Sequence, residues 1–177
     1  MGRVSTALLV ASTQSTKVTK GLQAVRALAN TTAVDVTVET GLLADLPGLL
    51  RRQVDLLVFD GHGYFPPRVG RLPITPEAIR GPDNGGLRAP VVVLGCCWGG
   101  THDFRKAVRR CLDAPTVFLG HTGEAPFEHA ELVFPPVIDM LADVEPAPFA
   151  IRARIEAILR GLGPEAAGWT VAVLRPS

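Results

Sequence analysis

Cysteine is scarce in this chain: there are three in 177 residues, and two of them, Cys96 and Cys97, are adjacent. So placed they make no disulfide framework, and a reducing cytosol is the default setting. Net charge is almost absent, at +1 with basic and acidic residues interspersed, which leaves no electrostatic footprint for nucleic acid. Long apolar runs are missing too. The stretch Ala7 to Ala11 is too short for a signal-peptide core or a membrane span. The Ser/Thr-rich turn after it, Ser12 to Thr16, lacks the Gly and Lys-Ser/Thr pattern of a phosphate loop, so no nucleotide site is read there. There is no internal repeat, low-complexity tract or linker. What is present is an ordinary globular balance, 47 % apolar and 20 % charged, which argues against disorder. The expectation is one soluble, cytoplasmic domain over residues 1–177, large enough to bury a core without staples.

Apolar patterning divides the chain into alternating elements. Ala7 to Ala11 reads as a buried strand, and Ser12 or Thr13 as the cap of a helix with Val18, Leu22, Val25 and Leu28 on its inner face. Val34 to Val38 alternates like a strand near the sheet edge. Leu42, Leu43, Leu46, Leu49 and Leu50 give a leucine-rich helix that Pro47 turns or kinks. Val54 to Phe59 and Val91 to Leu94 are apolar runs suited to strands buried on both faces of a parallel sheet. Between them Tyr64 to Pro90 is crowded with proline and glycine and reads as a long surface excursion without regular elements, the kind of loop that serves as a lid or binding wall. A helix follows with Phe104, Val108, Cys111 and Leu112 inward. Pro115 to Leu119 is a further strand, His129 to Asp143 a helix interrupted near Pro135 and Pro136, and Pro148 to Gly161 a helix with Phe149, Ile151, Ile155, Ile158 and Leu159 on its apolar side. Trp169 to Leu174 closes the sheet. Strands alternating with helices predict a three-layer α/β/α sandwich around a mostly parallel sheet of about six strands.

Two of the buried strands end alike. Val54 to Phe59 runs into Asp60-Gly61-His62-Gly63, and Val91 to Leu94 into Gly95-Cys96-Cys97-Trp98-Gly99-Gly100. If the strands are neighbours, His62 and Cys97 project from one sheet edge, where open α/β sheets place their sites. A nearby imidazole lowers a thiol's pKa or accepts its proton. The flanking glycines let a substrate backbone approach and leave the Gly63 and Cys97 backbone N–H groups to hold a developing oxyanion. The bland alternative is that both cysteines are small buried hydrophobes at a tight turn. Cys111 fits a core stripe and is given no role.

A strand ending in His-Gly, followed by a later strand ending in small-Cys-x-x-Gly, resembles the caspase-like (clan CD) cysteine peptidases. The branch most similar is the CHAT domain, on Phe59 to Gly63 (FDGHG) and Val92 to Gly100 (VVLGCCWGG). The resemblance implies Cys97 as nucleophile and His62 as general base, a protein or peptide substrate cleaved through an acyl-enzyme, and no metal or organic cofactor. A regulatory protein partner is left unspecified. Three features depart from it. The His-to-Cys separation is shorter than the separation of about 50 in the caspase signature. Gly95 stands where that family carries a substrate-selecting side chain, so neither an acidic nor a basic preference transfers. Trp98 is bulky where a polar residue is usual.

Two other readings share Cys97. Gly95 to Gly100 also resembles the nucleophile elbow of dienelactone hydrolases, Gly-x-Cys-x-Gly-Gly, and would make the chain an esterase or lactonase. That fold needs an acid and a His after the nucleophile, where only His121 and His129 are near, so His62 preceding Cys97 favours the caspase-like order. A caspase-like shell without activity, serving as an interaction module, is the third. Zinc on His62, Cys97, His102 and His121 lacks any short ligand spacing, and no metal is assigned. Glu124 reads as a surface charge.

Overall fold

The computed structural model describes residues 5–12, 16–81, 84–125 and 128–177, with backbone alone at Thr16, His129 and Ala130. In chain order the elements are β1 (Thr6–Ala11), α1 (Thr16–Ala29), β2 (Asp35–Thr40), α2 (Leu46–Leu50), β3 (Leu56–Asp60), β4 (Gly63–Tyr64), β5 (Arg68–Val69), β6 (Leu72–Pro73), α3 (Pro76–Ile79), β7 (Val91–Gly95), α4 (His102–Cys111), β8 (Thr116–His121), α5 (Glu128–Asp139), α6 (Pro148–Leu162) and β9 (Trp169–Leu174). Six strands form the main sheet in the order β2-β1-β3-β7-β8-β9, and β4-β5-β6 form a small antiparallel one.

The β-branched runs become strands buried on both sides. Leu9, Leu56, Val58, Val91, Val93, Val117 and Leu119 face a core shared with α1, α5 and α6. Leu8, Val10, Leu57, Phe59, Val92, Leu94 and Phe118 face a second core with α2, α3 and α4. This is the expected α/β/α sandwich. Four strand pairs are parallel, and β8 with β9 is antiparallel.

Several sequence expectations need correction. The excursion after His62 is not irregular throughout: Val69, Leu72, Ile74 and Ile79 pack into the second core and hold the β4-β5-β6 ribbon and α3 in place. Thr75 caps α3, its side chain accepting from the Ala78 N–H at 3.3 Å. α5 is not interrupted at Pro135 and Pro136 but runs through both, its face of Val133, Phe134, Val137 and Ile138 wholly buried. α2 is shorter than the leucine run, leaving Leu42 and Leu43 outside it. Leu28 and Phe149 are exposed, and Ala29 takes the inner place at the end of α1. The Ser12 hydroxyl has no hydrogen-bond partner among the described residues, so it caps nothing there; Thr13 lies outside them. Among the described residues no helix is long and apolar enough to cross a membrane.

Candidate functional site

β3 and β7 are adjacent and parallel, with Asp60 opposite Gly95. Their carboxyl ends deliver His62 and Cys97 to one rim of the sheet, two residues beyond that pair. Gly61 N–H donates to the Gly95 carbonyl at 3.4 Å as the chains leave the sheet. The His62–Gly63 backbone then lies directly on the Cys97 turn: a Cβ added at Gly63 would overlap the Cys97 carbonyl oxygen and come within 3.3 Å of the Cys96 sulfur. Only glycine permits that approach.

Cys97 is half-buried, and Cys96 is buried. Burial, reinforced by the nearby Asp60 and Cys97, pushes the Cys96 thiol far above its usual range, which keeps it a protonated packing group. Trp98 follows with φ of 65°, in the left-handed region that costs a residue with a side chain about 1–2 kcal/mol. It is held there by its N–H donating to the Gly123 carbonyl at 2.8 Å, while Gly100 N–H donates to the His121 carbonyl at 2.7 Å. The Trp98 ring, 37 % exposed, lies 6.5 Å from Phe65, whose ring in turn meets Phe104 edge-on at 5.7 Å. The ribbon tip thereby forms a wall over the β7 turn.

His62 is exposed, with its ring 6.4 Å from that of Tyr64. It lines a cleft of about 640 Å³ together with Ser12, Leu42, Leu43 and the ribbon residues Arg68 and Arg71. Cys97 is not part of that lining. The structure thus brings the two segments together at the backbone, with the imidazole on the β1 side of the rim.

The sequence singled out other residues that the structure places elsewhere. His121 is buried and held by two bonds: its Nε2 lies 3.0 Å from the Ala167 carbonyl, and its Nδ1 accepts from Gly123 N–H at 3.1 Å. That pattern suits Nε2 as donor and Nδ1 as acceptor. His102 is exposed at the first turn of α4, Glu124 is exposed, and the His129 side chain lies outside the described residues. Cys111 is a core residue, its thiol pushed up to about 12 by burial. Among the described residues no three His, Cys, Asp or Glu side chains are grouped to hold a metal.

One site residue escaped the sequence reading. Asp60 is buried at the end of β3, and burial pushes its carboxyl up to about 7 against the lowering effect of Gly61 N–H, which donates to its Oδ1 at 2.8 Å. A Cβ at Gly95 would come within 2.8 Å of both that oxygen and the Phe134 ring. The absent side chain at position 95 is therefore room taken by the Asp60 carboxyl. The only sequence signal was an acid placed two residues before His62.

No protein-family model matches the chain, and no curated protein matches it. Among solved structures it is similar to a secreted C11 cysteine protease from Bacteroides thetaiotaomicron, "iotapain", with a TM-score of 0.56 at 12 % identity, over 98 % of this chain and 67 % of that one. The fold is caspase-like. Asp60, His62 and Cys97 lie at the carboxyl rim of adjacent strands, where open α/β sheets leave a crevice.

Proposed function

We propose that the chain is a cysteine peptidase-like domain, most akin to the CHAT branch on its Phe59–Gly63 and Val92–Gly100 segments, with Cys97 as nucleophile and His62 as general base. The observation that carries this is the adjacency of β3 and β7, with Gly63 seated against the Cys97 backbone. The thiol proton passes to the His62 imidazole as sulfur attacks the peptide carbonyl. The tetrahedral intermediate collapses to an acyl-enzyme as His62 returns the proton to the leaving amine. Water, deprotonated by the same ring, then hydrolyses the thioester. Nucleophile–base contacts of this kind tighten in the Michaelis complex.

Two backbone donors support an oxyanion site. Trp98, Gly99 and Gly100 spend their N–H groups on named carbonyls, whereas the Cys97 N–H has no partner among the described residues. Gly70 N–H donates to the His62 carbonyl at 2.7 Å, so that pair of the β4-β5 ladder is the bonded one. The neighbouring Gly63–Val69 pair is then the non-bonded kind, with the Gly63 N–H turned away from β5. The esterase reading gains nothing from the structure: of the described histidines after Cys97, His121 has both ring nitrogens engaged by backbone groups, and His102 is exposed at the first turn of α4.

The test is alkylation by iodoacetamide and by a peptidyl electrophile, mapped by mass spectrometry. Cys97 labels fast in the native protein and at least tenfold more slowly in His62→Ala. Equal rates in the two proteins, or no labelling of a folded chain, refute the dyad and leave the inactive module. Turnover of p-nitrophenyl esters or lactones without peptide cleavage would instead mean an esterase.

A further inference from the structure

The cleft beside His62 is unused by the acyl transfer proposed above, although it opens from the same rim. It lies where the chain order reverses, between β1 and β3, the place where open α/β sheets leave a crevice at their carboxyl ends. Its volume of about 640 Å³ is of a size that takes a few side chains.

Its chemistry is one-sided. Among the described residues of the lining, Arg68 and Arg71 carry positive charge and none is a carboxylate. Neither arginine forms an ion pair among the described residues. Arg68 is held in place, its guanidinium carbon 4.8 Å above the Tyr64 ring, and that ring is the one beside His62. A stacked guanidinium keeps its fork of donors for a planar anion. At the opposite wall Leu42 and Leu43 are 65 % and 48 % exposed, a pair of large apolar side chains left in water next to two cations. Ser12 adds a buried hydroxyl without a partner among the described residues.

We infer that this cleft is a substrate subsite for an extended peptide carrying a carboxylate side chain beside an apolar one. Arg68 and Arg71 take the carboxylate, and Leu42 and Leu43 cover the apolar neighbour. A nucleic acid fits less well: the chain has a net charge of only +1, and leucines offer no stacking face for a base. The inference deepens the peptidase reading by naming its substrate class, but the binding it describes does not require catalysis.

The experiment uses the full chain as Cys97→Ala and fluorescein-labelled tetrapeptides of alternating Leu and Glu, read by anisotropy. Counterparts with Gln or Lys in place of Glu are the comparison. The Glu peptide binds about tenfold tighter than the Gln peptide, and the advantage shrinks with added salt. Arg68→Gln/Arg71→Gln abolishes the difference, and Arg68→Lys keeps only part of it. Equal binding of the three peptides, no binding, a preference that survives the double substitution, or tighter binding of a single-stranded oligonucleotide would each overturn the inference. Iodoacetamide labelling of the protein with Cys97 intact separates the two proposals. A reactive Cys97 without acid selectivity removes the subsite alone. Acid-selective binding with an inert Cys97 upholds the subsite and removes the peptidase.

Discussion

Asp60 is a carboxylic acid buried at the end of β3, a costly setting for its charged form. Its carboxyl shares the space beside Gly95 with the Phe134 ring and has one backbone donor, and burial raises its pKa from 3.8 to about 7. Between those values the folded chain holds a proton that the unfolded chain has released. Stability therefore falls as pH rises through that window and levels off above about 7. Asp60→Asn keeps an oxygen for the Gly61 N–H and has no charge to bury. Its stability advantage over the parent should be small near pH 4 and grow toward neutrality, to on the order of a few kcal/mol. Urea midpoints of both proteins across that range check it, and parallel curves would show that the carboxyl is ionised at no cost. The adjacent glycines make a second contrast at this scale. Gly63→Ala drives a methyl group into the Cys97 carbonyl, a backbone atom that no rotamer change can move. It should cost about 1–3 kcal/mol and slow alkylation of Cys97. Gly21→Ala, on α1 with nothing within 4 Å of the new methyl, should stabilise by about 1 kcal/mol. Similar urea midpoints for the two variants would remove the close approach from the argument.

The elements were legible where periodicity is long and were lost where packing overrides it. Val91 to Leu94 could be read as a doubly buried strand because both its neighbours in the sheet are apolar too. The ribbon β4-β5-β6 could not, since strands of two residues have no period and are held by Val69 and Leu72 in a distant core. α5 defeats the usual reading of Pro135 and Pro136, which remove helix donors at about 3 kcal/mol or more in a helix interior. Burial of Val133, Phe134, Val137 and Ile138 outweighs that loss, each worth about 1.5–3 kcal/mol. The pairing of His62 with Cys97 was legible as two similar strand ends. Asp60 was not, because no residue pattern tells that a carboxylate at a strand end will be buried beside Gly95 together with Phe134 from α5, 74 positions later. The same element carries a prediction. Phe134→Ala removes a ring touching both Gly95 and Trp169, so it should destabilise by about 3–5 kcal/mol. It should also let water reach Asp60 and bring its pKa back down, flattening the pH dependence described above. A variant that is destabilised yet keeps the full pH slope would separate the ring from the carboxyl.

At the scale of the whole molecule, the antiparallel β9 follows from connectivity. β8 is followed by α5 and then α6 on the same face, and two helix reversals bring the chain back in the opposite direction, beside β8. The excursion between β4 and β7 is tied in the same way, through a core that also contains Cys96 and Cys111. These two thiols are buried and shifted upward, so neither reacts while the fold is closed. In a Cys97→Ser protein they become reporters of opening from two ends of one core, the β7 turn and the end of α4. If the ribbon, β7 and α4 open only together, both sites should alkylate at the same rate at every urea concentration, in step with loss of helical circular dichroism. Faster labelling of Cys96 below the unfolding transition would mean that the ribbon lifts off by itself, which would make it a moving lid over the rim rather than a fixed wall.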